Sequence, residues 1–194
     1  MTGALSRWVL KRLGWHIIND LPDDDKYMLI VAPHTSNWDF VYGVLAKSAV
    51  GFKVNFLGKD TLFKGPLGWW FKALGGIPVK RDEKLNMVEQ MVQQFEQRNK
   101  MILAMSPEGT RSRLDYWKSG FYHIACGAKV PIVMATLNFA EKEIKLGGRF
   151  MPVGDVVKDM DKIRAFFADI DGKKPKNQGP IRLKTELLNN KKPD

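Results

Sequence analysis

His34 and Asp39 stand five positions apart in Ala32-Pro33-His34-Thr35-Ser36-Asn37-Trp38-Asp39, directly after the apolar run Met28-Leu29-Ile30-Val31. An imidazole can take a proton from a substrate near neutral pH, and a neighbouring carboxylate can fix its tautomer. On one continuous helix, five residues separate two side chains by about 140° around the axis, so the pair would diverge. A strand-to-helix turn removes the difficulty: with His34 in the turn and Asp39 in the first turn of the next helix, the carboxylate can hold one ring nitrogen while the other faces a substrate. The spacing alone is common and gains meaning only from its context. The other two histidines, His16 and His123, have no Asp at that offset.

A second constellation, Ser106-Pro107-Glu108-Gly109-Thr110-Arg111-Ser112, follows the apolar run Met101 to Met105. The planar fork of Arg111 suits a phosphate, to which it can donate two parallel charge-assisted hydrogen bonds. An ordinary Glu-Arg pair in a solvated turn is the plainer reading. Lys80 and Arg81, just past Ile77-Pro78-Val79, either add positive charge to the same pocket or solvate a strand end. Other nucleophiles are poorly placed. The one cysteine, Cys126, lies in the apolar helical stretch Phe121 to Ala128 and reads as a buried, inert thiol. No G-x-S-x-G elbow, dinucleotide fingerprint or Walker loop is present, and no Cys/His spacing suggests a metal site.

The elements that must position these residues alternate. Tyr27 to Ala32, Val54 to Leu57, Ile77 to Val79, Met101 to Met105 and Val130 to Leu137 read as strands, with further strands around Ile144 and Phe150. Helices are expected over Trp38 to Val50, through Met87, Met91 and Phe95, after a Ser119 cap, over Ile163 to Ile170, and briefly over Ile181 to Leu188. Lys59 to Gly76, rich in Gly and aromatics, reads as loop and short helix. This order predicts an α/β fold: a single domain with a mixed, largely parallel sheet flanked by helices, plus an N-terminal amphipathic helix. His34, Arg81 and Glu108 each follow a strand, so a parallel arrangement brings all three to one edge of the sheet.

Composition bounds the setting. A chain of 194 residues with 44% hydrophobic content supports one domain, expected to span residues 1–194. No apolar run approaches the roughly 18 residues of a spanning helix, and a lone cysteine favours a reducing compartment. The net charge of +10 implies an anionic partner, whether nucleic acid, acidic lipid or phosphorylated metabolite. Leu5, Trp8, Val9 and Leu13 share one helical face bordered by Arg7, Lys11 and Arg12, so residues 1–20 read as an amphipathic segment that lies in a membrane interface or packs on its own domain. Trp69-Trp70, followed by Phe71 and Lys72, leans towards membrane contact. From Asp171 the chain reads as a basic polar tail.

Together the blocks HTSNWD, GKDTLFKGPLGWWFKALGGIPVKR, SPEGTRS and VPIVMA resemble the four ordered motifs of the glycerolipid acyltransferases, especially 1-acylglycerol-3-phosphate acyltransferases, over about residues 30 to 135. H-x4-D and E-G-T-R-S jointly, at this separation, are far more specific than either alone. Two departures stand out: Ser106 opens the third block where many members have Phe, and Met134-Ala135 replaces the proline that often closes the fourth.

The resemblance implies that His34 and Asp39 are catalytic, and that Arg81, Glu108, Gly109, Thr110 and Arg111 bind a phosphorylated acceptor. It implies transfer of a fatty acyl group from a thioester to the hydroxyl of a lysophospholipid-like acceptor, with acyl-CoA or acyl carrier protein (acyl-ACP) as co-substrate and no tightly bound cofactor or metal. His34 would act as general base, and backbone N–H groups near Thr35 and Ser36 would steady the developing oxyanion. The expected setting is the cytoplasmic face of an anionic membrane, with no nucleic acid. Two other classes compete: a basic nucleic-acid- or membrane-binding module without catalysis, and a lipid esterase or thioesterase in which His34 activates water.

Overall fold

The computed structural model describes residues 3–79 and 87–189. Its centre is the strand β2 (Lys26–Ala32), whose side chains alternate between two cores. Met28 and Ile30 enter a core built with α5 (Met87–Gln97), α6 (Gly120–Ala128) and α7 (Val156–Phe167). Tyr27 and Leu29 enter the opposite core, with Leu10 of α1 (Gly3–Arg12) and Leu45, Ala46 and Ala49 of α2 (Trp38–Val50). A strand covered on both faces cannot show polar alternation, which is why KYMLIVA reads as a continuous apolar run. β6 (Ile132–Asn138) is buried throughout and divides its residues in the same way.

Among the described residues, seven strands form one sheet in the order β1-β7-β6-β2-β5-β3-β4. The remaining strands are β1 (His16–Asn19), β3 (Asn55–Lys59), β4 (Gly76–Val79), β5 (Met101–Met105) and β7 (Glu143–Phe150). All neighbouring pairs are parallel except β6 with β7. The expected mixed, largely parallel sheet is therefore present, and β2 and β5, neighbours in register, deliver His34 and Glu108 to the same edge. Between β3 and β4 lie two short helices, α3 (Thr61–Lys64) and α4 (Gly68–Ala73), and a last short helix, α8 (Lys184–Asn189), ends the described chain. Arg81, with Lys80, falls outside the described residues.

Several local expectations change. The apolar runs around Ile144 and Phe150 are two parts of the single strand β7, because Gly147 and Gly148 continue it rather than break it. α7 begins at Val156 and ends at Phe167 rather than spanning 163–170, its start set by Asp155, whose side chain accepts Lys158 N–H at 3.2 Å. Ser119 precedes α6 but makes no side-chain capping bond. β1 escapes sequence reading because it is four residues long and mostly exposed at the sheet edge.

α1 is amphipathic, and only part of its apolar face packs: Val9 is half-buried against the core that holds Leu10. Ser6 and Leu10 are buried, the Arg7 guanidinium donates to the Ala49 carbonyl at 2.6 Å, and a Cβ on Gly3 would lie 2.8 Å from the Ser48 carbonyl oxygen of α2. Leu5, Trp8 and Leu13 stay exposed, Trp8 to 63%. No helix among the described residues is long and apolar enough to cross a membrane.

Candidate active site

β2 ends at Ala32, and the chain turns through Pro33 to Ser36 before α2 begins at Trp38. This turn brings His34 and Asp39 together: His34 Nδ1 lies 3.1 Å from Asp39 Oδ2. Asp39 is almost wholly buried, whereas the imidazole is 28% exposed. A carboxylate oxygen accepts, so the neutral ring carries its proton on Nδ1 and leaves Nε2 as the free base.

The same oxygen takes two more donors, Thr35 N–H at 2.7 Å and Ser36 N–H at 2.8 Å. Three donors on one buried oxygen fix the carboxylate and, through it, the ring. This arrangement also removes an expectation. Backbone groups already spent on Asp39 cannot receive a developing oxyanion, so Thr35 and Ser36 shape the turn instead. The other oxygen, Oδ1, is buried with no hydrogen-bond partner among the described residues.

Glu108 lies directly behind the turn. Its carboxylate accepts His34 N–H at 2.6 Å, and the residue is buried. Burial pushes its pKa up to about 7; the His34 N–H bond and the His34 charge pull against that rise, and the Asp39 charge adds to it. A small cavity of about 210 Å³ opens beside it, lined in part by Pro33, Trp117, Phe167 and Gln178. Glu108 thus lies under the His34 backbone and holds the turn that carries the imidazole. A buried carboxylate is a poor host for phosphate.

The rest of the turn is more open. Gly109 has φ +65°, the left-handed region that glycine enters without strain, and its N–H donates to the Ser106 carbonyl at 3.1 Å. Thr110 is half-buried, and its hydroxyl accepts Ser112 N–H at 3.3 Å. Arg111 is exposed and donates to the Asn37 side-chain oxygen, which ties the EGTRS turn to the His34 turn. Sequence reading gave Asn37 no role, although its place between His34 and Asp39 was a signal.

Another participant carried no signal. The segment 171–178, expected as part of a polar tail, packs along both turns. Lys174 N–H donates to Thr35 Oγ1 at 3.1 Å, and the Asn177 amide donates to the Arg111 carbonyl at 2.9 Å. Cys126, half-buried in α6, has its thiol pKa raised by burial, in keeping with an inert thiol. No group of His, Cys, Asp and Glu among the described residues could hold a metal ion.

The family model described as Acyltransferase matches residues 12–137, which include both turns and the strands that carry them. The chain belongs to the acyltransferase family. It is 31% identical over 123 residues to a 1-acyl-sn-glycerol-3-phosphate acyltransferase of Streptococcus pneumoniae, covering 63% of this chain and 46% of that protein. Proteins of the same name from Haemophilus influenzae and Escherichia coli are 28% and 30% identical, over 74% and 61% of this chain and 64% and 49% of their own lengths. The chain thus spans roughly half to two thirds of these relatives. The crystal structure of the 1-acyl-sn-glycerophosphate acyltransferase PlsC from Thermotoga maritima shares the fold, with a TM-score of 0.56 at 15% identity, covering 86% of this chain and 74% of that one. The segment 171–178 lies beyond the residues that the family model matches.

Proposed function

We propose that this acyltransferase moves a fatty acyl group from an acyl thioester, carried on coenzyme A or acyl carrier protein, to the hydroxyl of a lysophospholipid-like acceptor, 1-acylglycerol-3-phosphate in the first instance. The observation that carries the reading is the His34–Asp39 contact at the open end of β2, with Arg111 on the adjoining turn. His34 Nε2 takes the acceptor's hydroxyl proton as the oxygen attacks the thioester carbonyl. The C–S bond then breaks, and the departing thiolate receives the proton from the imidazolium. Asp39 stabilises that imidazolium without itself becoming protonated. No acyl group is attached to the protein, and no metal or tightly bound cofactor is required.

Arg111 grips the acceptor's phosphate, so that its hydroxyl meets the base as a positioned reactant. Family resemblance assigns Arg81 the same task. Gly109 and Thr110 form the turn that presents Arg111. Glu108 supports His34 from behind.

The acceptor arrives from a lipid surface. Exposed apolar side chains include Leu5 and Trp8 of α1 with Leu13 just after it, Trp38 and Val41 of α2, and Trp69 and Trp70 of α4. α1 packs on α2 through Arg7, and Phe40 of α2 meets Phe71 of α4 with ring centroids 6.4 Å apart, so α1 and α4 each adjoin α2. Aromatic side chains of this kind favour the membrane–water interface, and the net charge of +10 favours an anionic one, at the cytoplasmic face.

The test is to incubate the purified protein with labelled acyl-CoA or acyl-ACP and a panel of lysolipid acceptors, and to identify products by mass spectrometry. Acylated acceptor is the expected product. Free fatty acid without it would mean hydrolysis, and salt-sensitive nucleic-acid binding without thioester consumption would mean a non-catalytic module.

A further inference from the structure

The segment 171–178 is a closed loop held to the rest of the protein at several points. Its base is locked by Gln178, whose side-chain oxygen accepts Gly172 N–H at 2.8 Å while its amide donates to the Ile170 carbonyl at 2.8 Å. The Asp171 carbonyl accepts Phe139 N–H at 2.8 Å, just past β6. Gly172 is buried so closely against the His34 turn that a Cβ there would lie 2.8 Å from Thr35 Oγ1 and 3.0 Å from Pro33 Cγ. Lys174 N–H holds the same Thr35 hydroxyl.

Asn177 makes the contact that matters most. Its side-chain amide donates to the Arg111 carbonyl at 2.9 Å and reaches the Thr35 carbonyl at 3.5 Å. One residue therefore touches the backbone beside the base and the backbone of the anion-gripping arginine. The two turns also meet directly, through His34 N–H on the Glu108 carboxylate and through the Arg111 guanidinium on Asn37. Asn177 adds a bridge from outside both turns, 142 positions from Thr35 and 66 from Arg111, and it is the one that holds the Arg111 carbonyl.

From these contacts we infer that Asn177 is a positioning residue that sets the distance between His34 and the Arg111 guanidinium, and so matches the site to an acceptor whose phosphate lies a fixed reach from its reacting hydroxyl. The inference rests on the reading of Arg111 as the phosphate grip. Loss of the amide frees the Arg111 backbone, so the grip becomes less well aimed while the His34–Asp39 pair, held by its own three donors, stays in place. The cost falls on the phosphate-bearing acceptor and not on the thioester.

The experiment compares the full chain with Asn177→Ala, Arg111→Ala and the double variant, using 1-acylglycerol-3-phosphate and the phosphate-free monoacylglycerol as acceptors. Asn177→Ala should raise the KM for the phosphate-bearing acceptor about three- to tenfold, the scale of one lost hydrogen bond. The KM for acyl-CoA should not change, and the preference for phosphate over no phosphate should fall. The double variant should be no worse than Arg111→Ala, because the two residues act as one device. Asn177→Asp, which keeps the shape but replaces the donor with an acceptor facing two carbonyls, should behave like Asn177→Ala. Equal loss with both acceptors, or losses that add in the double variant, would overturn the inference while leaving the role of Arg111 standing. An Arg111→Ala variant that keeps its full phosphate preference would remove the underlying reading, and this inference with it.

Discussion

Glu108 accepts the backbone N–H of His34 at 2.6 Å, so the acid of the EGTRS turn lies behind the His34 turn and holds its backbone. The bond crosses from the end of β5 to the end of β2, two neighbours in the sheet. It is made where burial holds the Glu108 pKa near 7, against an ordinary value of 4.5.

That displacement makes stability depend on pH. Between pH 4.5 and 7 the folded protein keeps a proton on Glu108 that the unfolded chain has begun to release. Stability from this residue is thus present at low pH and is lost as pH rises through about 7, by at most about 3 kcal/mol. Glu108→Gln cannot ionise and should flatten this part of the profile. Urea unfolding of both proteins at pH 5, 6, 7 and 8 measures the difference, and parallel profiles would refute the assignment.

Asp39→Asn tests the charge separately from the geometry. An amide oxygen can occupy the seat of Oδ2 and receive Thr35 N–H, Ser36 N–H and His34, while its nitrogen takes the place of Oδ1, which has no partner to lose. The variant should fold, with turnover lower by on the order of 10² to 10⁴, because an imidazolium no longer faces a carboxylate. Asp39→Ala should also cost about 2–4 kcal/mol in stability, since two buried N–H groups lose their acceptor. Steady-state kinetics and thermal denaturation of the two variants separate the effects.

His34→Ala should lower turnover by about 10² to 10⁴ while leaving the fold intact, since the ring is 28% exposed. Circular dichroism confirms the fold, and product analysis reads the activity. A folded variant with near-normal acyl transfer would exclude His34 as the base.

Much of this arrangement is legible in the sequence where burial imposes a pattern. β2 and β5 are covered by helices on both faces, so their apolar runs stand out, and the helix over Trp38 to Val50 is bounded by the turn before it and by Gly51, left-handed at φ 88°, after it. What escapes is held by polar contacts at long range. Residues 171–178 are Lys-, Asn- and Pro-rich and carry no periodicity, and their partners lie up to 142 positions away. α1 packs through Ser6, a small polar residue that a hydrophobic pattern passes over. The position of Glu108 also escapes, because a motif records which residue is present and not which way its carboxylate turns.

Membrane attachment gives the last prediction. Trp8 is 63% and Trp69 70% exposed, on helices that flank α2, and indoles left in water this way bury area only when the protein meets another surface. Removing either ring should weaken partitioning onto vesicles containing phosphatidic acid by about tenfold, which is less than full burial of an indole would yield and is consistent with partial insertion. Lys11→Glu, on the polar side of α1, should weaken binding to anionic vesicles and leave binding to neutral ones unchanged, because only the first involves Coulomb attraction. Co-sedimentation at low and high salt distinguishes the two contributions. Acyl transfer to an acceptor below its micelle-forming concentration should be unaffected by all three substitutions, since none touches the His34, Asp39 or Arg111 side chains. If the tryptophan variants sediment with vesicles as well as the parent does, α1 and α4 are not the docking surface.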